Sequence, residues 1–235
     1  MKNYFLVLDT ETSGLPKKWD VPYDVKNNWP HVLQIAWIIY SQEGKELKRE
    51  NHYLKNTGFK ISKASAKIHK ITPEYLLQRG KDPKKVFIKL LADLKRYDPL
   101  VIGHFVELDF HMVKAEFFRA GIENSFEDYP LFCTMKASVP YIKNPSFKYL
   151  KLNRFYKTLF YKSASGNLHN ALSDAELTSE IFFHLLNNGQ INDEVIIKQQ
   201  EISNTNNLKG KLIYRWLFPL LFSILIALVI WLCYE

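Results

Sequence analysis

The stretch that decides the fold is LVLDTETSG, residues 6–14. An apolar run from Tyr4 to Leu8 predicts a buried strand, and the strand leads directly into Asp9 and Glu11. Side chains two positions apart in an extended chain point to the same face, so both carboxylates would face one site. Neighbouring carboxylates repel each other unless a cation lies between them, and Mg²⁺ or Mn²⁺ prefers such oxygen ligands. Taken alone, the pair is weak evidence for a metal site, and a polar strand end with exposed carboxylates is the alternative.

Strands and helices alternate along the chain after this first strand. Apolar runs predict strands at residues 32–40, 51–54, 100–103 and 130–134. Helical spacing predicts helices at residues 73–80, 84–96, 108–120, 148–159 and 170–186. This alternation indicates an α/β fold, with a mixed central sheet flanked by helices on both faces. Residues 16–31, rich in proline and tryptophan, are predicted as a long loop.

Composition narrows the class of protein. The 235 residues are 47% hydrophobic and 24% charged, which excludes a disordered chain, a collagen and a multispanning membrane protein. The formal net charge is +8, and basic and acidic residues balance from Asn187 onward, so residues 1–186 carry the whole excess. Such a body suggests a polyanionic partner, nucleic acid first and an anionic membrane surface second. A basic surface that is merely solvated explains the charge as well.

The C-terminal part of the chain has a different composition. Residues 187–211 are dominated by polar side chains and predict a linker, and residues 212–235 predict a transmembrane anchor. The uncharged stretch Trp216–Tyr234 would form a helix of roughly 29 Å, enough for the ~30 Å hydrocarbon layer. Three cations precede it: Lys209, Lys211 and Arg215. They predict a single-pass C-terminal anchor with the N-terminal body in the cytoplasm. A buried core helix is the alternative, but this stretch lacks a polar face.

Two later segments add polar groups that suit the same site. The segment VIGHFVELDF, residues 101–110, places Asp109 at the opening of a helix after a buried strand. The segment LHNALSDA, residues 168–175, places His169 in a loop and Asp174 in the helix that follows. On one continuous helix, residues five apart would diverge by about 140°. With His169 held before the helix begins, both side chains can converge on one site.

The polar residues, taken together, resemble the DEDDh (DnaQ-like) 3′–5′ exonuclease superfamily. The resemblance extends over about residues 4–186 and rests on five positions in this order: Asp9, Glu11, Asp109, His169 and Asp174. It implies a ribonuclease H-like fold. The segment IHKIT, residues 68–72, is similar to the family's His-Gly-Ile segment near the site.

Two positions depart from the family pattern without touching those five. The chain has His104-Phe105 where the family often has His-Asn, and Cys133-Thr134 where it often has Asp-Thr. Either difference could alter how a substrate fits.

The resemblance also implies a chemistry. Two Mg²⁺ ions about 3.5–4 Å apart, with Mn²⁺ as a possible substitute, would clamp the attacking and leaving oxygens of a phosphoryl displacement. Asp9 would bridge both ions, Glu11 and Asp174 would complete the one carrying the attacking water, and Asp109 would serve the other. His169 would be the general base, because a neutral imidazole can accept a proton near pH 7. The alternative for His169 is a loop histidine that caps the following helix.

Candidate substrate contacts surround these positions. Thr10 and Thr12 flank the expected metal ligands, Leu15 would wedge against a base, as in relatives, and His104 lies in a family motif. Four cations recur at every third position and could follow a phosphate backbone: Lys148, Lys151, Arg154 and Lys157. A solvated helix face is the alternative for these cations.

We therefore expect a membrane-tethered, metal-dependent 3′–5′ exonuclease that acts on single-stranded DNA or RNA ends. One alternative is a catalytically weak module that keeps the fold and binds nucleic acid. Another is a two-metal hydrolase of short oligonucleotides. No segment indicates a polymerase or other protein partner.

Overall fold

A mixed five-stranded sheet forms the centre of the protein in the computed structural model, which describes residues 1–164 and 168–201. The strands are β1 (Tyr4–Thr12), β2 (Val32–Ser41), β3 (Glu46–Tyr53), β4 (Leu100–Gly103) and β5 (Leu131–Cys133), in the order β3-β2-β1-β4-β5. Strand β2 is antiparallel to β1 and β3, whereas β4 is parallel to β1 and β5. The predicted mixed α/β architecture is confirmed.

Strand β1 extends further than its apolar run. It pairs with β2 from Tyr4 opposite Ser41 to Thr12 opposite Val32, with a bulge between Glu11 and Thr12. On its other side, β4 pairs only with Phe5–Val7. The Asp9–Glu11 segment therefore lies past the carboxyl end of β4, which is where ligand sites form in sheets with parallel strands.

Helices cover both faces of the sheet. They are α1 (Lys63–His69), α2 (Pro73–Arg79), α3 (Pro83–Tyr97), α4 (Val106–Ala120), α5 (Thr134–Ala137), α6 (Leu152–Phe160) and α7 (Ala171–Asn187). The sequence did not predict α1 or α5. Helix α1 has no buried residue, so no apolar stripe marks it, and α5 is a single turn.

The alternation along β1 separates two hydrophobic cores. Leu6 and Leu8 pack with side chains of α3 and α4, whereas Phe5 and Val7 pack with those of α6 and α7. The carboxyl end of β1 can therefore receive side chains from both helical layers.

The prediction that a helix begins at Lys148 is wrong, because α6 begins at Leu152. The backbone N–H of Leu150 donates to Ser138 Oγ at 2.9 Å, and the Leu150 carbonyl accepts from His104 Nε2 at 3.0 Å. These tertiary bonds hold Leu150 outside a helix. Lys148 consequently precedes the helix and Lys151 is its N-cap residue.

The predicted loop, residues 16–31, contains no helix or strand and folds onto α4. The Trp29 ring stacks on His111 with centroids 5.1 Å apart, and the Tyr23 hydroxyl lies 2.9 Å from His111 Nδ1. The loop is therefore held by aromatic packing on the helix that carries Asp109.

The C-terminal predictions are only partly within the described residues. Residues Met1–Ile196 form one compact unit, which includes residues 187–196 of the predicted linker. The predicted anchor at residues 212–235, with residues 202–211 of the linker, lies outside the described residues. Within residues 1–164 and 168–201, no helix has both the length and the apolar character to span a membrane. The boundaries 1–186, 187–211 and 212–235 stay predictions.

Candidate active site

Four carboxylates converge at the carboxyl end of β1. Asp9 and Glu11 lie on β1, Asp109 in the first turn of α4, and Asp174 in the first turn of α7. Burial raises the pKa of Asp9 well above its ordinary value, and the charges of Asp109, Asp174 and Glu11 raise it further. The negative charges of these carboxylates therefore interact, although the residues come from three separate elements.

The other three carboxyl groups are perturbed in the same direction. Burial, followed by the charges of Asp174 and Asp109, raises the pKa of Glu11 to about 8. Burial also raises the pKa of Asp109 to about 7 and that of Asp174 to about 6. A cluster of buried like charges is unfavourable at neutral pH unless positive charge compensates it. The electrostatics therefore favour a bound cation.

Thr10 fixes one of these carboxylates. Its Oγ1 donates to Asp109 Oδ1 at 2.7 Å, and this bond partly offsets the rise in the pKa of Asp109. Thr10 lies on the α4 side of β1, like Leu6 and Leu8. The hydroxyl predicted to contact substrate is thus engaged within the protein.

His169 and Asp174 are joined across the start of α7. The His169 backbone N–H donates to Asp174 Oδ2 at 3.3 Å, and His169 has a left-handed φ of 65°. This turn brings the imidazole back towards the carboxylates. One potential ligand atom from each of Glu11, His169 and Asp174 lies within 4.8 Å of the others.

The donor set fits a divalent cation. Asp174 Oδ1 is buried and has no hydrogen-bond partner among the described residues, so it has an unused lone pair inside the site. Carboxylate oxygens coordinate Mg²⁺ or Ca²⁺ at roughly 2.0–2.6 Å, so atoms on opposite sides of one ion lie about 4–5 Å apart. The residues that could hold cations are Asp9, Glu11, Asp109 and Asp174, and His169 lies close enough to join them.

Gln34 positions α7, and the sequence reasoning missed it. This residue of β2 is fully buried, opposite Glu11 in the sheet. Its Oε1 accepts from the Ala171 backbone N–H at 3.2 Å, and its Nε2 donates to Asn51 Oδ1 at 2.9 Å. A single amide within the apolar run VLQIAWII, residues 32–39, was the available signal.

Asn170 also positions α7, a role that the segment LHNALSDA did not indicate. Its Oδ1 accepts from the backbone N–H groups of Leu172 at 3.2 Å and Ser173 at 3.4 Å, which caps α7. Its Nδ2 donates to the Tyr53 hydroxyl at 3.1 Å. The cap ties the first turn of α7, and hence Asp174, to β3.

Two further histidines lie in segments that resemble motifs of the family. Burial lowers the pKa of His104 to about 4, so its ring is neutral, with Nε2 donating to the Leu150 carbonyl and Nδ1 3.0 Å from Thr134 Oγ1. Both ring nitrogens of His104 are therefore engaged, and its predicted substrate contact stays a prediction. His69 Nδ1 accepts from the Ile71 N–H at 3.0 Å. Burial lowers the pKa of His69, and the charge of His169 lowers it further.

The remaining predicted contacts do not belong to the carboxylate cluster. Thr12 Oγ1 donates to the Gly14 carbonyl at 2.6 Å, and Leu15 is 69% exposed. Lys148 and Lys151 are exposed beside the start of α6. Their roles in binding substrate stay predictions.

Phe105, a departure from the family pattern, has an unusual backbone. It is the N-cap residue of α4 and has a left-handed φ of 74°, a conformation that asparagine adopts more readily than a bulky residue. The Phe105 ring lies 5.8 Å from that of Trp19 between centroids. The geometry explains why Asn suits this position and shows that Phe105 contacts the 16–31 loop instead.

Comparisons with known proteins agree with this geometry. The profile of the exonuclease family RNase_T matches residues 6–182. The DNA polymerase III subunit epsilon of Aquifex aeolicus (strain VF5) is 26% identical over 187 residues, which cover 77% of this chain and 80% of that protein.

Solved structures extend the likeness to the fold. E. coli exonuclease I in complex with a dT13 oligonucleotide has a TM-score of 0.64 at 16% identity, covering 78% of this chain and 41% of that one. A product-bound structure of exonuclease I has a TM-score of 0.63 at 15% identity, covering 79% and 43%. The chain spans about two fifths of the length of these structures. Its sheet and helices form the ribonuclease H-like exonuclease fold.

Proposed function

The chain belongs to the exonuclease family whose profile matches residues 6–182, and from that membership we propose that it is a DEDDh 3′–5′ exonuclease acting on single-stranded ends. It would release nucleoside 5′-monophosphates one at a time from DNA or RNA. The named relatives support this assignment, since one is a subunit of a DNA polymerase and others are exonuclease I structures with bound oligonucleotide or product.

The observation that carries the proposal is the convergence of four carboxylates and one imidazole at the end of β1. The pKa of Glu11 is raised to about 8 by burial and by the neighbouring carboxylates, so the cluster is unfavourable without cations. Asp9, Glu11, Asp109 and Asp174 would hold two Mg²⁺ ions, with Mn²⁺ as a substitute. When bound, the ions would stabilise the charge on the attacking and leaving oxygens of the displacement.

In this proposal, side chains of the protein accept the proton of the attacking water and hold the catalytic groups in position. In the proposed reaction, water attacks the phosphorus of the last phosphodiester, His169 accepts a proton of that water, the bond to the 3′ oxygen breaks, and that oxygen takes up a proton from solvent. The products are a nucleoside 5′-monophosphate and a strand with a new 3′ hydroxyl. The bond from the His169 N–H to Asp174 Oδ2 keeps the imidazole beside the carboxylates, while Thr10 orients Asp109.

Product analysis on labelled strands tests the direction and the chemistry. With Mg²⁺, a 5′-labelled single strand should yield a ladder of shortened products, and a 3′-labelled strand should yield labelled mononucleotide from the earliest times. Parallel DNA and RNA strands determine the preferred sugar, and a dinucleotide tests the short-oligonucleotide alternative. Internal cleavage, or release from the 5′ end, would contradict the proposal.

Matched variants connect that activity to the site. Asp9→Ala combined with Asp174→Ala should abolish Mg²⁺-dependent release, because two of the four carboxylates are lost. The control is Asp24→Ala, which removes an exposed carboxylate in the 16–31 loop. Equal activity of the double variant and the control would show that these carboxylates do not carry the reaction.

We further propose that residues 212–235 anchor the protein in a membrane, with the catalytic body in the cytoplasm. The supporting feature is the uncharged stretch Trp216–Tyr234, preceded by three cations. A chain that ends at Lys211 should move from the membrane fraction to the soluble fraction and retain nuclease activity. A full-length chain that is already soluble without detergent would refute the anchor.

A further inference from the structure

A groove beside α6 has features that the carboxylate site does not explain. Its volume is about 610 Å³, and it is lined by aromatic and basic side chains together with part of the segment that leads to the site. The lining residues that matter here are Phe147, Tyr149, Lys151, Arg154, Lys157 and Leu168.

The groove has positive charge without compensation. Lys151, Arg154 and Lys157 line it, and no acidic residue does so among those described. Across residues 1–164 and 168–201, none of these three cations forms an ion pair, whereas Arg49 on β3 pairs with Glu46. Uncompensated cations lining one cavity favour a polyanionic ligand.

Two aromatic rings that line the groove, those of Phe147 and Tyr149, lie against cationic side chains. The Phe147 ring is 40% exposed, and the Arg154 guanidinium lies 4.6 Å from its centroid. The Lys148 ammonium lies 5.4 Å from the centroid of the Tyr149 ring. Cations that alternate with partly exposed rings suit a strand with both phosphates and unpaired bases, because unpaired bases stack on aromatic faces. A duplex buries those faces, so this combination favours a single strand.

The groove adjoins the carboxylate site through neighbouring residues of the chain. Leu168 lines the groove, and the next residue is His169, which lies beside Glu11 and Asp174. We propose that this groove binds the single strand on the 5′ side of the nucleotide being released, with its phosphates at Lys151, Arg154 and Lys157. The inference rests on the proposed exonuclease function and adds the path of the substrate.

A charge-matched pair of variants of the full-length protein tests the proposal. The groove variant combines Lys151→Gln, Arg154→Gln and Lys157→Gln, all at exposed positions where folding should be preserved. The control combines Lys84→Gln, Lys85→Gln and Lys95→Gln, exposed positions on α3 in the other helical layer. Both variants lose three charges, so any effect of net charge alone is the same in both.

The readouts are KM and its dependence on salt, for a 20-nucleotide single strand and for a dinucleotide. For the long strand we expect the groove variant to raise KM by about tenfold or more and to reduce the salt slope of log KM by about 2, since each lost phosphate contact contributes ~0.7. The dinucleotide should be affected much less because its single internucleotide phosphate is the one being cleaved, so none is left for the groove cations. Phe147→Leu should weaken binding of the long strand without changing the salt slope, because it removes a stacking surface but no charge.

The results distinguish a groove that binds the strand from a groove that only supports the carboxylate site. Equal KM values for the groove variant and the α3 control would overturn the proposal. So would an equal loss of kcat on both substrates, because that result would mean that the groove supports the site rather than the strand. If the wild-type protein degrades neither substrate, the proposed function fails. Anisotropy of a labelled 20-nucleotide strand with both variants then still decides whether the groove binds it.

Discussion

Replacing Glu11 with glutamine should stabilise the metal-free protein while removing its activity. Glu11 is only 9% exposed, and the charges of Asp174 and Asp109 act on it. Glu11→Gln keeps the shape of the side chain and removes its charge. The substitution therefore isolates the electrostatic cost of the carboxylate cluster.

The magnitude follows from the pKa of Glu11, which rises from its ordinary value of 4.5 to about 8 in the folded protein. A tenfold change in a protonation equilibrium corresponds to about 1.36 kcal/mol. At pH 7 the unfolded chain ionises freely while the folded carboxyl is held largely protonated, which costs about 3 kcal/mol of folding free energy. For a chain of this size, we expect Glu11→Gln to raise Tm by roughly 6–12 °C in EDTA.

The pH dependence has a definite sign. Because the folded pKa of Glu11 lies above its unfolded value, the folded state binds more protons between pH 4.5 and about 8. Wild-type stability should therefore fall as pH rises through that window and level off above it. The gain from Glu11→Gln should be small near pH 4.5 and largest near pH 8.

Urea unfolding at pH 5 and pH 7.5, followed by tryptophan fluorescence in EDTA, measures both effects. The control is Glu123→Gln, which replaces an exposed glutamate. Mg²⁺ should raise the stability of the wild-type protein at pH 7.5 more than that of Glu11→Gln, because the variant has lost one ligand and part of the repulsion. If wild type and Glu11→Gln are equally stable at pH 7.5 in EDTA, the argument that burial and the neighbouring charges of Asp174 and Asp109 make an ionised Glu11 costly is wrong.

Three further substitutions test parts of the fold around the site. Tyr161→Gly should raise the unfolding free energy by about 1 kcal/mol, because Tyr161 has a left-handed φ of 55°, which favours glycine, and its side chain is 91% exposed. Thermal melting measures the change, and a lower Tm would contradict the prediction. Asp93→Ala should cost about 3 kcal/mol in urea unfolding, since it removes the buried carboxylate that accepts from Trp37 Nε1 at 2.9 Å and Lys48 Nζ at 2.6 Å. A loss under 1 kcal/mol would be too small for this account. Asn170→Ala should cost about 1 kcal/mol of stability and also lower kcat, because it removes the cap of α7. Asn170→Asp should restore the stability. An unchanged kcat in the alanine variant would show that the cap does not support catalysis.

Local pattern was enough to predict most of the architecture. The strand at residues 100–103 and the helices at residues 73–80 and 84–96 agree with β4, α2 and α3 to within one residue at each end. Apolar periodicity marks these elements, and residues that begin or end a helix or strand mark their bounds. Both signals depend on only a few neighbouring positions. Local pattern fails where distant groups bond the backbone. Hydrogen bonds to Ser138 and His104 hold Leu150 outside the helix, so α6 begins four residues later than predicted.

The sequence by itself determined which residue types are available for chemistry and in what order: Asp9, Glu11, Asp109, His169 and Asp174. Only the tertiary structure decided that their side chains meet, through the end of β1, the first turn of α4 and the first turn of α7. It also decided their acidity, because desolvation and Coulomb repulsion depend on distances through space and not on positions along the chain. Gln34 belongs to the same category: its lone amide in an apolar strand indicates a buried polar group, but only the tertiary structure shows that its partner is the start of α7.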